Sequence, residues 1–549
     1  MHLSQTLFGL LTALWGAPAG LAAAPTTGTV DVKLRIGTFR GLAGVNGMDK
    51  FLGIPFAQQP VGALRFKAPA PITKSSNAVF NATAFGHACP QPPAAFLGAD
   101  MGEDCLWMNI WRPQGLAANA KLPVLFWIHG GAFTTNSASN PQSEPTEFIQ
   151  RSLDVKKPFI FVSTNYRVNT FGFLASATMA PEDLNQGLLD QRQALVFVKE
   201  NIAAFGGDPA KVTIWGQSAG AGSVEAHMLY PAKKSLFRAG IADSSTGPFK
   251  NTPDASTFDK PGKPFARLLA ATGCASGPAA ISCLQKVPFE TLLNISNTMI
   301  AGTLNQQLWQ PALGPAGSFV TERASTKIER GDVLRVPYIG GTNANEGTFF
   351  TSSVRLRGLS GQAETNAFVN YIENLLIDNS TLTSDVINAF VEQYPANDPN
   401  AGGPFITGDS LFDRTAAFYT NEMFLSVRRF FFQRAAALLP MFAYFYKEFI
   451  PGNDITKGVT HAMELELFFG PPSLPANTSI ESGLQAQMRD FYINFINDLN
   501  PGPQWERFDP RSPRVLQLQR GNVTMIPDDW DVARVDFCNT PKVIGEFEK

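Results

Sequence analysis

The sequence predicts an α/β chain whose chemistry gathers in the loops that leave its strands, and three observations carry that prediction. A pentapeptide, Gly216-Gln217-Ser218-Ala219-Gly220, follows the strand-like run Lys211-Val212-Thr213-Ile214-Trp215 and opens a helical stretch over 219–230 that Pro231 closes. Short β-branched or aromatic runs recur at 122–128, 238–242, 336–340 and 441–446. The 549 residues contain no Ser/Gly-rich spacer, charge run, low-complexity tract or fixed-period repeat, so residues 24–549 are expected to form one domain.

The pentapeptide has the form of a nucleophile elbow. A strand that turns directly into a helix drives the serine backbone to positive φ, and glycines on either side leave room for the turn. Ser218 then projects its hydroxyl from the bend. The run Gly206-Gly207-Asp208-Pro209 upstream reads as the turn that introduces the strand.

A serine hydroxyl attacks well only when an imidazole, itself oriented by a carboxylate, can take its proton. The chain has five histidines, and elbow enzymes run serine, acid, histidine along the sequence. His2 falls in the leader, and His87 and His129 precede the serine. His227 lies too close behind it for an acid-bearing strand to intervene. His461 remains, in the loop after the aromatic strand Met441-Phe442-Ala443-Tyr444-Phe445-Tyr446.

Two carboxylates follow plausible strands before His461: Asp243 and Glu346. Sites of open α/β sheets lie at strand C-terminal ends. The polar loop Asn343-Ala344-Asn345-Glu346-Gly347 favours Glu346, with Asp243 as the alternative. Donors for a developing oxyanion should follow an earlier strand, and Leu122–Ile128 leads into His129-Gly130-Gly131-Ala132-Phe133. The amides of Gly131 and Ala132, with that of Ala219 after the nucleophile, are the expected donors.

The 44 Lys+Arg against 46 Asp+Glu leave a formal charge of -2, which argues against nucleic acid or an anionic membrane as partner. Residues 1–23 read as a cleaved secretory leader: an apolar stretch, broken by Gly16, Pro18 and Gly20, runs into Ala22-Ala23-Ala24. No other apolar run is long enough for a membrane span, so no stable membrane insertion is expected. Sequons at Asn81, Asn294, Asn379, Asn477 and Asn522 agree with an extracellular glycoprotein. Of five cysteines, proximity favours Cys89 with Cys105 and Cys274 with Cys283, leaving Cys538 free, although four cysteines allow three pairings. Metal-ligand spacing is absent, and no cofactor is expected.

These residues and several further strings resemble the type-B carboxylesterase/lipase family, the cholinesterase-like branch of the α/β hydrolases, with secreted fungal members as the nearest likeness. The strings are Phe51-Leu52-Gly53-Ile54-Pro55-Phe56-Ala57, Glu103-Asp104-Cys105-Leu106-Trp107-Met108-Asn109-Ile110-Trp111, Asn165-Tyr166-Arg167-Val168, Gly187-Leu188-Leu189-Asp190-Gln191-Arg192 and 201–209 leading into the elbow. The resemblance runs from residue 28 onward and is densest before residue 250.

It implies an α/β-hydrolase fold: a large, mostly parallel central sheet flanked by helices, with helical insertions forming a gorge. It implies a secreted serine carboxylic ester hydrolase acting on a small-molecule or lipid ester. Ser218, Glu346 and His461 fall on the family's triad, which selects Glu346 over Asp243. Gly131, Ala132 and Ala219 fall on its oxyanion hole, and Cys89–Cys105 and Cys274–Cys283 on its disulfides. Arg65 with Glu103, and Arg167 with Asp190, fall on its buried ion pairs.

The alternatives within the resemblance are an interfacial triacylglycerol lipase or sterol esterase and, more remotely, a non-catalytic cholinesterase-like binding module. Two departures bear on substrate choice. Ala132 replaces the third glycine of the commonest oxyanion string, which narrows the hole against esters of tertiary alcohols. Only fifteen residues separate Cys89 from Cys105, short for the flap of the fungal lipases, so a full interfacial lid is not expected. Phe96, Leu97 and Met101 are the expected border of the gorge mouth.

Overall fold

One thirteen-stranded sheet organises the chain. The computed structural model describes residues 28–117, 119–247, 250–470 and 479–549; the leader and the Asn477 sequon lie outside them. In chain order the strands are β1 Gly28–Leu34, β2 Gly37–Val45, β3 Met48–Pro55, β4 Val79–Asn81, β5 Trp107–Pro113, β6 Leu122–Ile128 and β7 Ile160–Thr164. They continue as β8 Gly207–Gln217, β9 Ala239–Asp243, β10 Tyr338–Asn343, β11 Met441–Tyr446, β12 Arg514–Leu518 and β13 Thr524–Pro527. Their order across the sheet is β1-β2-β3-β5-β7-β6-β8-β9-β10-β11-β12-β13, with β4 beside β2. The strands from β7 to β12 in this order all pair in parallel, and antiparallel pairs close both edges.

Sequence explains the difference between centre and edge. Parallel strands covered on both faces run largely apolar, and β7 (IFVST), β9 (AGIAD) and β10 (YIGGTN) are buried at every position. The edge strand β1 alternates towards its end, with Val32 and Leu34 buried and Asp31 and Lys33 exposed. Successive side chains of β6 go to opposite faces: Val124, Phe126 and Ile128 join one core, Leu125 and Trp127 the other. The helix Ala219–Leu229, packed against β8 and β9, is buried along its whole length.

Between β9 and β10 run the helices Pro264–Thr272 and Phe289–Ala301; between β10 and β11 run Gly361–Glu373, Ser384–Gln393, Ser410–Thr420 and Ser426–Ala435. The second set has its own aromatic core around Phe368, Phe390, Phe418 and Phe424. These insertions rise from the C-terminal ends of the parallel strands, where the site forms.

Two boundaries differ from the sequence reading. Residues 207–209, read as part of a turn, belong to β8, and the mismatch is absorbed as an irregularity: the partner of Leu122 is Gly207, but that of Val124 is Val212. Strand β10 begins at Tyr338, not 336, because Pro337 has no N–H for the ladder and the first bond is Tyr338 N to Pro440 O. Disulfides join Cys89 to Cys105 and Cys274 to Cys283, and Cys538 is free and buried.

Candidate active site

Strand β8 delivers Ser218 into a backbone conformation of φ 59° and ψ -124°. An L-residue pays for positive φ in steric strain of order 1–3 kcal/mol, tolerated where the surroundings over-determine it. Here Ser218 N donates to Asp243 O at 2.9 Å, and Gly222 N donates to Ser218 O at 2.9 Å. The flanking glycines have no substitute: a Cβ on Gly216 would lie 2.2 Å from Gly220 O, and one on Gly220 2.1 Å from Ile128 O.

Strands β10 and β11 deliver the other two groups. Their C-terminal loops are tied by a bridge between Asn345 and Thr460 and by Asn345 N donating to Val459 O at 2.9 Å. That tie sets His461 against Glu346, with Nδ1 and Oε2 2.6 Å apart. Glu346 is fully buried and His461 nearly so. The other carboxylate oxygen, Oε1, accepts from Ser244 Oγ at 2.5 Å and from Asn343 N at 2.6 Å. A carboxylate held by three hydrogen bonds fixes one imidazole orientation and keeps the proton on Nδ1. The ring of His461 is walled by Phe349, Phe350 and Phe424, with centroids 5.9, 5.0 and 5.0 Å away.

With Nδ1 protonated, Nε2 carries the lone pair, and Gln217 Nε2 donates to it at 3.2 Å. Ser218 Oγ bonds to no described protein group and faces the same cavity as His461, a space of about 750 Å³. Across that cavity, Gly131 (φ 111°), Ala132 (φ 55°) and Phe133 (φ 58°) make a left-handed turn. Thr134 N and Thr135 N close it on Gly131 O at 2.8 and 2.9 Å. No described protein group accepts from the amides of Gly131, Ala132 or Ala219. Ala219 is the first residue of its helix, so its amide adds the positive end of the helix dipole.

The remaining histidines are engaged elsewhere. His129 stacks on Tyr166 at 4.3 Å and donates from Nδ1 to Gly130 O at 2.9 Å; burial pushes its pKa down to about 4, so it is a neutral brace beneath the turn. His227 is buried against Gln191, and His87 pairs with Asp104 at the surface. Asp243, the alternative acid, touches no imidazole. It accepts from Trp215 Nε1 at 2.6 Å, Tyr492 OH at 2.6 Å and Tyr444 OH at 3.0 Å, and burial raises its pKa to about 6 against those bonds. Glu464 is also buried nearby, held by Asn343 Nδ2, and burial with the charges of Asp243 and Glu346 pushes its carboxyl well up.

Sequence reading did not single out Gln217, Ser244 or Asn343. Two of the three adjoin residues that it did weigh, Ser218 and Asp243, and Asn343 opens the loop that bears Glu346; the signal was strand-end position. At the cavity mouth the expectation needs correction. Phe96 is 38% exposed and lines the cavity beside Pro92 and Pro93, whereas Leu97 turns inward, because its carbonyl is held by Ser137 Oγ and Ser139 Oγ at 2.6 and 2.7 Å. Met101 is half-buried and does not line the cavity: its backbone pairs with Ala88 in a short bridge. Arg65 grips Glu103, and Arg167 grips Asp190, each in two-pronged bonds of 2.5–2.7 Å. Asn81, Asn294, Asn379 and Asn522 are all exposed. No helix among the described residues is long and apolar enough to cross a membrane.

Comparison with known proteins places this geometry. Residues 28–534 match the model of the carboxylesterase family. The chain is 35% identical to "Secreted lipase 1" of Botryotinia fuckeliana, over 94% of this chain and 93% of that protein. It is 31% identical to "Secreted triacylglycerol lipase LIP1" of Gibberella zeae, over 93% and 90%. Among solved structures it resembles Aspergillus niger EstA, with a TM-score of 0.80 and 27% identity over 95% of this chain and 99% of that one, and a PNB esterase, with a TM-score of 0.75 and 27% identity over 92% and 99%. An α/β-hydrolase sheet with a serine elbow at its centre, matched along nearly its whole length in this way, makes the chain a member of the carboxylesterase family and a carboxylic ester hydrolase.

Proposed function

We propose that Ser218, His461 and Glu346 hydrolyse the ester through an acyl-enzyme. His461 Nε2 takes the proton as Ser218 Oγ bonds to the carbonyl carbon, and the amides of Gly131, Ala132 and Ala219 stabilise the resulting oxyanion. Glu346 stabilises the imidazolium. Collapse breaks the bond to the alkoxide, which leaves with the proton from His461. A water, deprotonated by the same nitrogen, then releases the acid and restores Ser218. The observation that carries this reading is the buried 2.6 Å pair of His461 and Glu346 beside a serine held at positive φ in front of three unengaged amides. Ser218→Ala should lower turnover of a p-nitrophenyl ester roughly a million-fold; undiminished hydrolysis would overturn it.

The enzyme acts outside the cell as a single hydrolase domain over 24–549, after removal of residues 1–23. The names of its secreted relatives and its two disulfides support this, since such bonds persist in oxidising compartments. Its preferred substrates are esters in solution, because the segment closed by Cys89–Cys105 carries one exposed aromatic, Phe96. The triacylglycerol lipase reading has its own support in the relatives named lipases. Rate measured against substrate concentration separates the two: a smooth saturation curve through the solubility limit fits the first, a jump at that limit the second.

A further inference from the structure

A second cavity, of about 660 Å³, lies behind the catalytic loops and shares no lining residue with the first. Its size falls within the roughly 300–1,000 Å³ usual for small-molecule sites. The 459–461 segment borders both. Asn345 and Val459 face the second cavity, while Thr460 and His461 face the first. Like the active site, the second cavity opens at the C-terminal ends of parallel strands, here β10, β11 and β12, where open α/β sheets bind ligands.

Its surface is divided by chemistry. Phe445 and Trp530 stack at 4.1 Å, and Phe405 and Phe449 meet at 5.5 Å. All four rings are only half-buried, so apolar area faces the cavity. The charged groups are matched within the protein, with one exception. Arg520 pairs with Glu448 at 2.5 Å, and Arg534 with Asp398 at 2.5 Å and Asp531 at 3.8 Å. Asp413 is saturated by Thr407 N, Thr407 Oγ1 and Gly408 N at 2.8–3.2 Å. The exception is Lys447: its ammonium donates to the neutral Gln517 Oε1 at 3.1 Å, lies 5.9 Å from the centroid of the Phe445 ring, and has no carboxylate partner among the described residues. An ammonium has three N–H donors, which leaves two of them for a ligand beside an aromatic wall.

We propose that this cavity binds a single-chain amphiphilic anion, a fatty carboxylate of the kind that a carboxylic ester hydrolase releases, with its head on Lys447 and its chain along the four rings. A cation seeking this site would meet Lys447 and carboxylates that already have partners within the protein. A neutral alkyl chain would gain the rings but leave the lysine unanswered.

Titration of laurate into enzyme whose active site is first blocked with a fluorophosphonate, the block verified by mass, isolates the second cavity. Saturable binding at one site is expected. Lys447→Met should weaken laurate at least tenfold while leaving dodecanol binding and hydrolysis of p-nitrophenyl acetate unchanged. Phe405→Ala, which alters only the chain wall, should weaken laurate and dodecanol together. If the protein resists labelling, laurate should fill two sites in the wild type and one in Lys447→Met, so failure of the serine assignment and failure of this site give different results. Monododecyl phosphate identifies the source: tighter laurate marks the product acid, and equal binding marks any alkyl anion, both within the proposal. Absence of saturable laurate binding, or equal affinity in wild type and Lys447→Met, would overturn it.

Discussion

Gln217 and His461 meet through their Nε2 atoms at 3.2 Å, so the residue beside Ser218 occupies the lone pair that the proposed mechanism offers to the serine proton. The arrangement follows from Glu346, which holds the proton on Nδ1 and leaves Nε2 an acceptor. An arriving ester must share or displace that contact. Gln217 is therefore a positioning residue whose charge the base would feel directly.

Gln217→Glu places a carboxylate where the amide was. An anion at that distance favours imidazolium over imidazole, so more hydroxide is needed to free the base. The acid limb of the kcat/KM profile for p-nitrophenyl acetate should move to higher pH, with activity at pH 6 falling more than activity at pH 8. Equal losses at both values would mean that Gln217 acts by shape alone.

Glu346 and Asp243 are both buried at strand ends, but only Glu346 bonds to the imidazole. Glu346→Gln should cost about 10⁴-fold in kcat, as expected when the orienting acid loses its charge. Asp243→Asn should cost less than about tenfold, since its partners are Trp215, Tyr444 and Tyr492 and no reacting group. Single-turnover rates of the two variants check the contrast, and a larger loss in Asp243→Asn would reverse the assignment.

That pair also shows what was legible in the sequence and what was not. The elbow could be read because its glycines answer to local sterics, the clash that any Cβ would make within the turn. His461 could be singled out because histidines are scarce, and the fold sets it beside Glu346. Asp243 and Glu346 could not be ranked securely from residues alone, because both end short apolar strands. What separates them is register across the sheet: the tie between Asn345 and the 459–460 segment turns one carboxylate towards the base. Ser244 and Gln217 stayed invisible for the same reason, since their partners lie 102 and 244 positions away. Among the mouth residues, Phe96 was placed correctly and Leu97 was not, because Ser137 and Ser139 draw its carbonyl inward.

Ala132 holds φ 55° where glycine would be unstrained. Ala132 lines the cavity that Ser218 and His461 face, next to the expected oxyanion site. Ala132→Gly should raise the ratio of tert-butyl to ethyl ester turnover by roughly tenfold, the scale of one methyl group in a tight pocket. Relief of the left-handed strain, about 1–2 kcal/mol, should offset the added freedom of glycine in the unfolded chain, so the melting temperature should not fall. An unchanged ester ratio would show that the methyl points away from the alcohol group.

Glu225, buried in the helix behind the elbow, accepts from Tyr338 OH at 2.6 Å and Ser245 Oγ at 2.9 Å. Burial nevertheless raises its pKa to about 7, from an ordinary value of 4.5. Between those values the folded protein binds more protons than the unfolded chain, so stability falls as pH rises. The contribution is fully present below about pH 4.5 and is lost as pH passes 7. Glu225→Gln does not titrate. Its stability relative to wild type should therefore improve between pH 5 and pH 8, by up to roughly 3 kcal/mol, since each tenfold change in proton affinity is worth about 1.4 kcal/mol. Urea unfolding midpoints of both proteins at the two pH values measure the difference, in which the other titrating groups cancel. A constant difference would mean that Glu225 keeps one charge state throughout, and that its two hydroxyl donors outweigh its burial.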